Sequence, residues 1–234
     1  MDALSDVFTY ISGVPATIGL LLTAIIILLT SDWRLSLTAL LIQYILIGTA
    51  LSNDVRLEVA VVKILVGVLA VSILYLTARR LQDIGGTLTV GSEKARFLGL
   101  SVGWEAGPLG LPFRLLAALL AALAVLRLFG SLNLPQTSAA TAFAASWLVA
   151  MGLTGLVVST SPLRVAAALL TILGAFDLVY ARLEPSLAVA GFWSVLILLG
   201  ALAFAYLAVV QGLAPRPEKA AEGPPGGSDT EREA

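Results

Sequence analysis

Long apolar runs separated by short polar breaks make up most of the chain. Crossing a bilayer takes about 20 apolar residues, enough to cover ~30 Å of hydrocarbon at ~1.5 Å rise per residue. Seven runs reach or approach that length, at about 13–30, 34–51, 57–78, 113–130, 138–158, 163–182 and 186–210. They predict an all-α fold, a polytopic transmembrane helix bundle of seven spans occupying residues 1–211. The breaks between them are mostly short. Ser31-Asp32-Trp33 closes the first two runs into a hairpin, and Ser52-Asn53-Asp54 is a polar turn of the kind that joins antiparallel helices. One break is long: the loop 79–112 is rich in Gly and holds Lys94, Arg96, Trp104 and two prolines. Its apolar piece, Phe97 to Trp104, is too short to span and is expected to lie on the headgroup boundary, as a connector or as a lipid- or partner-facing segment. Beyond 212, Pro224-Pro225-Gly226-Gly227 and alternating charges predict a disordered, solvated tail over 212–234.

Composition agrees with the pattern. Hydrophobic residues make up 59% and charged residues 12% of the chain, about half the charged share of a soluble domain, and the mean hydropathy is +0.97. The charges sit in a few loops and the tail, so no basic surface is offered to nucleic acid. With no Cys and no His, disulfides, thiolate metal sites, His-held haem and His acid–base chemistry are excluded. No Gly-rich phosphate loop, Ser-His-Asp set or carboxylate pair is found. The expectation is a non-enzyme without catalytic residues, metal or cofactor. The N-terminal Met1-Asp-Ala-Leu-Ser-Asp6 has no cationic segment, so a removable signal peptide is not expected.

Basic residues orient the bundle. With the N-terminus outside and the tail cytoplasmic, Arg34, Arg79, Arg80, Lys94, Arg96, Arg114, Arg164, Arg216, Lys219 and Arg232 fall inside, against Arg56, Arg127 and Arg182 outside. A prokaryotic inner membrane is the expected location. A faint internal repeat accompanies this layout: Thr30-Ser31-Asp32-Trp33-Arg34-Leu35 recurs without a gap as Thr160-Ser161-Pro162-Leu163-Arg164-Val165. Spans one to three then correspond to spans five to seven as a parallel three-helix repeat, with span four as connector. Duplication, shared hairpin chemistry and chance are the alternatives, since identity between the two copies is slight.

Polar residues inside the spans carry what chemistry there is. Lys63 lies about six residues, or ~9 Å, into the third span, and Asp177 about five residues, or ~7.5 Å, from the same face of the membrane in the sixth. Ionisable groups there cost about 2.5–3.5 kcal/mol each on insertion scales, so a partner is expected. Lys63 either pairs internally or snorkels on its four-carbon stem; Asp177 needs a partner, a water-filled cavity or a proton. Depth arithmetic puts the two opposite charges at one level and makes a Lys63–Asp177 pair possible, though the sequence does not give lateral adjacency of the third and sixth spans; Gln43 falls a few ångströms deeper and is able to hydrogen-bond either group. Tyr44, beside it, is expected to make an interhelical hydrogen bond. Arg34 and Arg164, at helix starts, and Arg79 and Arg80, at a helix end, are interface and orientation residues. Trp33 and Trp104 read as interface anchors, Trp147 and Trp193 as packing. The small residues Ala142, Ala145, Ser146, Gly152 and Gly155 predict a close helix contact.

Arg34-Leu35-Ser36, Gln43, Lys63, Arg79, Leu163-Arg164 and Gly174 together resemble, in order and layout, membrane component E of formate-hydrogenlyase-type hydrogenases. That component is itself similar to the K subunit of respiratory complex I and the C subunit of multisubunit Na+/H+ antiporters. The resemblance implies an accessory subunit beside antiporter-like or hydrogenase-like membrane subunits that pass protons or sodium through intramembrane carboxylates. Where such a subunit would carry its acid, this chain has Tyr44 and Gly174, and only Asp177 supplies a carboxylate nearby. Architecture and partnership are therefore better supported than proton transfer by this chain. The rival readings are a structural or assembly scaffold and a small stand-alone transporter.

Overall fold

The computed structural model describes residues 14–52, 57–83, 95–97, 100–102, 110–129, 138–159, 161–184 and 186–213. Seven helices follow one another: α1 (Val14–Leu29), α2 (Trp33–Leu51), α3 (Leu57–Asp83), α4 (Leu111–Leu128), α5 (Ala139–Val158), α6 (Pro162–Leu183) and α7 (Leu187–Leu213). Between α3 and α4 lies a small antiparallel hairpin, β1 (Ala95–Phe97) against β2 (Leu100–Val102), with Arg96 opposite Ser101. This is where part of the expected headgroup-boundary segment falls. Local β pairing takes up backbone groups that a lone apolar stretch would leave unpaired. Trp104, the rest of the 84–109 loop and the tail from 214 lie outside the described residues.

Helix ends follow local chemistry. Asp32 caps α2, its side chain accepting from the Arg34 backbone N–H, and Ser138 caps α5 by accepting from that of Thr141. Pro112 and Pro162 stand in the first turns of α4 and α6, where a missing N–H costs nothing. Two ends differ from the sequence reading. The α3 helix continues past the predicted end at Ala78 to Asp83, carrying Arg79 and Arg80 exposed on its last turns, and α7 continues past 210 to Leu213. Neither extension meets a helix-breaking proline, so only polarity marked the predicted ends, and polarity does not stop a helix outside the hydrocarbon.

Six helices, α2 to α7, are long and apolar enough to cross a membrane. The first, α1, is apolar but has 16 residues, or ~24 Å against ~30 Å of hydrocarbon. The bundle is built as two rows: α1 packs on α2 and α2 on α3, while α5 packs on α6 and α6 on α7. Across the rows α1 meets α5, α2 meets α6 and α3 meets α7, with α4 lying outside against α5 and α1. Small residues set the spacing. Gly152 and Gly155 on α5 meet Ile172 and Ala168 on α6, and Gly67 on α3 lies against the Tyr44 ring of α2; a side chain at Gly152 or Gly67 would collide, and one at Gly155 would press on Ala168. Lipid offers no hydrophobic drive between helices, and such close approach supplies van der Waals contact instead. The resulting interior holds Leu40, Tyr44, Leu74, Leu170 and Ile197 in one cluster and Leu20, Ile47, Leu148 and Leu178 in another.

Candidate functional site: a buried ion pair

The α3, α6 and α7 helices bring three polar groups together inside the bundle. Lys63 Nζ donates to Asp177 Oδ1 at 2.6 Å and reaches the Ala190 carbonyl oxygen at 3.4 Å. Both side chains are enclosed, Lys63 being 1% and Asp177 2% exposed. The ammonium is therefore not snorkelling; its stem points inward, and the pair compensates the charge of each partner where water does not reach. Ala190 contributes because small residues along that face of α7 let its backbone come close. Ser194, a turn later, is buried and bonded back to Ala190 O at 2.7 Å.

Gln43 is fully enclosed, at 0% exposure, and its place differs from the expectation. Neither amide atom has a hydrogen-bond partner among the described residues, and the same holds for Asp177 Oδ2. The amide lies against Gly174, where an added Cβ would stand 3.8 Å from Gln43 Nε2. Gly174 is three residues before Asp177, about 4.5 Å of rise. Gln43 is thus offset by nearly a helical turn from the carboxylate it was expected to meet, and Ile47 occupies the space beside Gly174. Tyr44, buried next to it, donates its hydroxyl to the Leu170 carbonyl at 3.1 Å, an α2-to-α6 bond of the expected kind.

The orientation residues lie at the other end of the bundle. Arg34 is exposed, sits 5.3 Å from the Trp33 ring and bonds Gln82 at 3.3 Å, tying α2 to the last turn of α3. Trp33 itself is buried and packs on Tyr75 at 5.5 Å, so packing holds it rather than an exposed anchoring position. Trp193 stacks on Tyr180 at 6.2 Å. Arg164 donates to the Ser31 carbonyl at 2.9 Å, and Arg114 to the Ser31 hydroxyl at 3.2 Å. Arg114 is 4% exposed. Its role was missed because counting it among the loop cations ignored its position one turn into α4, where a side chain facing α1 is drawn into the bundle.

No group of three or more acidic residues able to hold a metal ion occurs among the described residues. No protein family, curated protein or solved structure matches the chain.

Proposed function

We propose that the chain is an accessory, non-catalytic subunit of an ion-translocating membrane complex, moving protons or sodium beside larger antiporter-like or hydrogenase-like subunits. The enclosed Lys63–Asp177 pair carries the proposal. Ionisable residues at membrane depth are expensive and commonly mark ion paths, and here a carboxylate oxygen and an amide, both without a hydrogen-bond partner among the described residues, lie within about a turn of α6 of each other. In that role the pair is a short polar link in the outer half of the membrane, with the N-terminus outside and the C-terminus cytoplasmic. In this reading the apolar α1 serves as the seventh span.

The register of the bundle favours the parallel repeat. Tyr44 meets Leu170 at a separation of 126 positions, and Lys63 meets Ala190 at 127; Leu28 beside Gly155 and Leu81 beside Gly212 keep close to the same spacing. Each helix of the first row thus runs parallel to, and level with, its counterpart in the second, as two copies of a three-helix unit stacked row on row would. A stand-alone transporter with a midplane site is less favoured, because α2, α3, α6 and α7 pass the middle of the bundle unbroken. A scaffold role has one observation of its own: the direct 2.6 Å bond ties α3 to α6.

Affinity purification of the tagged full chain in mild detergent tests the subunit reading. Large multi-pass subunits are expected to copurify in fixed proportion. A protein that purifies alone, and restores its function alone in vesicles, would replace the subunit with a stand-alone transporter.

A further inference from the structure

Arg114 and Arg164 approach one point from two helices. Arg114 lies in the first turn of α4 and Arg164 in the first turn of α6, and both guanidinium groups bond to Ser31, the middle of the three residues between α1 and α2. The same two side chains line a cleft between α1, α5 and α6. Ser159 lies with them at that end, while Leu28, Met151, Val158 and Ala168 form its apolar wall. Two cations beside an apolar wall at the end of a membrane bundle suit a ligand that is anionic at one end and apolar at the other.

We propose that this cleft is a binding site for an anionic phospholipid, with the headgroup phosphate held by Arg114 and Arg164. The enclosed space is about 10 Å3, room for one water-sized group. At that size it takes at most one headgroup oxygen and no acyl chain. The tails therefore run outside it, along the exposed apolar face of α4, where Phe113, Leu116 and Leu120 face outward. Arginine suits the task because its planar donors match phosphate oxygens two at a time, and basic pockets between membrane helices recognise anionic headgroups. Arg34 serves as an internal control: it lies at the same end of the bundle but is exposed and directed to Gln82.

The full chain in a neutral detergent, titrated with phosphatidylglycerol, phosphatidylcholine or inorganic phosphate while thermal unfolding is followed, tests the proposal. Phosphatidylglycerol should raise the unfolding temperature and bind about tenfold more tightly than phosphatidylcholine, whose phosphate is balanced by a choline cation that the two guanidinium groups repel. Arg164→Gln should remove that preference, Arg164→Lys should keep part of it, and Arg34→Gln should leave it intact. If Arg114→Gln fails to fold, Arg164→Gln and Arg164→Lys decide the question, because Arg164 is the less buried of the two. Equal responses to the two lipids would overturn the proposal, as would a phosphatidylglycerol preference that survives Arg164→Gln. A full response to inorganic phosphate alone would also overturn it, showing a free-anion site in place of a lipid site.

Discussion

At the scale of single residues, the charge balance inside the bundle depends on two side chains that only have meaning together. Lys63 and Asp177 are each nearly inaccessible and bonded at 2.6 Å, so removing either one strands the other in a medium that does not solvate it. Lys63→Met or Asp177→Leu alone is expected to destabilise the protein by about 3–5 kcal/mol, while the two together should cost much less. A double-mutant cycle read as the amount of folded protein in membranes measures this, and additive losses would show that the two groups do not depend on each other. The pair was legible in the sequence because two opposite charges lay at one depth in two spans. What depth could not supply was the lateral order of helices, which depends on contacts such as Gly67 against Tyr44 and Gly152 against Ile172. The same limit explains Gln43: hydrogen bonding is decided by less than a turn, and Ile47 and Gly174 set that turn.

At the scale of elements, apolar run length located the seven helices of the described residues, since a stretch without polar residues at membrane depth satisfies its backbone by itself only as a helix. Their ends were less legible, because α3 and α7 continue as helices beyond the last apolar residue. The β1–β2 hairpin was not foreseen, as six short strand residues resemble an apolar interfacial segment in composition. Orientation is the property of the elements that charge decides most strongly. Since the chain has no Cys, single cysteines at Ser92 in the α3–α4 loop and Ser228 in the tail report it cleanly. Both are expected to react with an impermeant thiol reagent only in inside-out vesicles, following the excess of Lys and Arg on that side. Reaction in intact cells would invert the assignment, together with the leaflet in which the arginine cleft sits.

At the scale of the whole molecule, two rows of helices enclose a few polar side chains and present broad apolar faces outward. Val157, Phe192 and Tyr206 are among the most exposed apolar residues, as expected of surfaces facing lipid or neighbouring membrane subunits. The proposed function lies in how the enclosed polar groups work within a larger assembly. The most direct measurement is ion uptake by the purified complex in sealed vesicles, comparing the unaltered chain with the Lys63→Met and Asp177→Leu double variant at matched subunit composition. If the pair is a link in the ion path, the double variant assembles normally but proton- or sodium-coupled uptake falls at least about tenfold, as for loss of a group worth ~1.4 kcal/mol or more to the rate-limiting barrier. Unchanged uptake by the fully assembled variant complex would contradict the account and leave the ion pair a purely structural tie between α3 and α6.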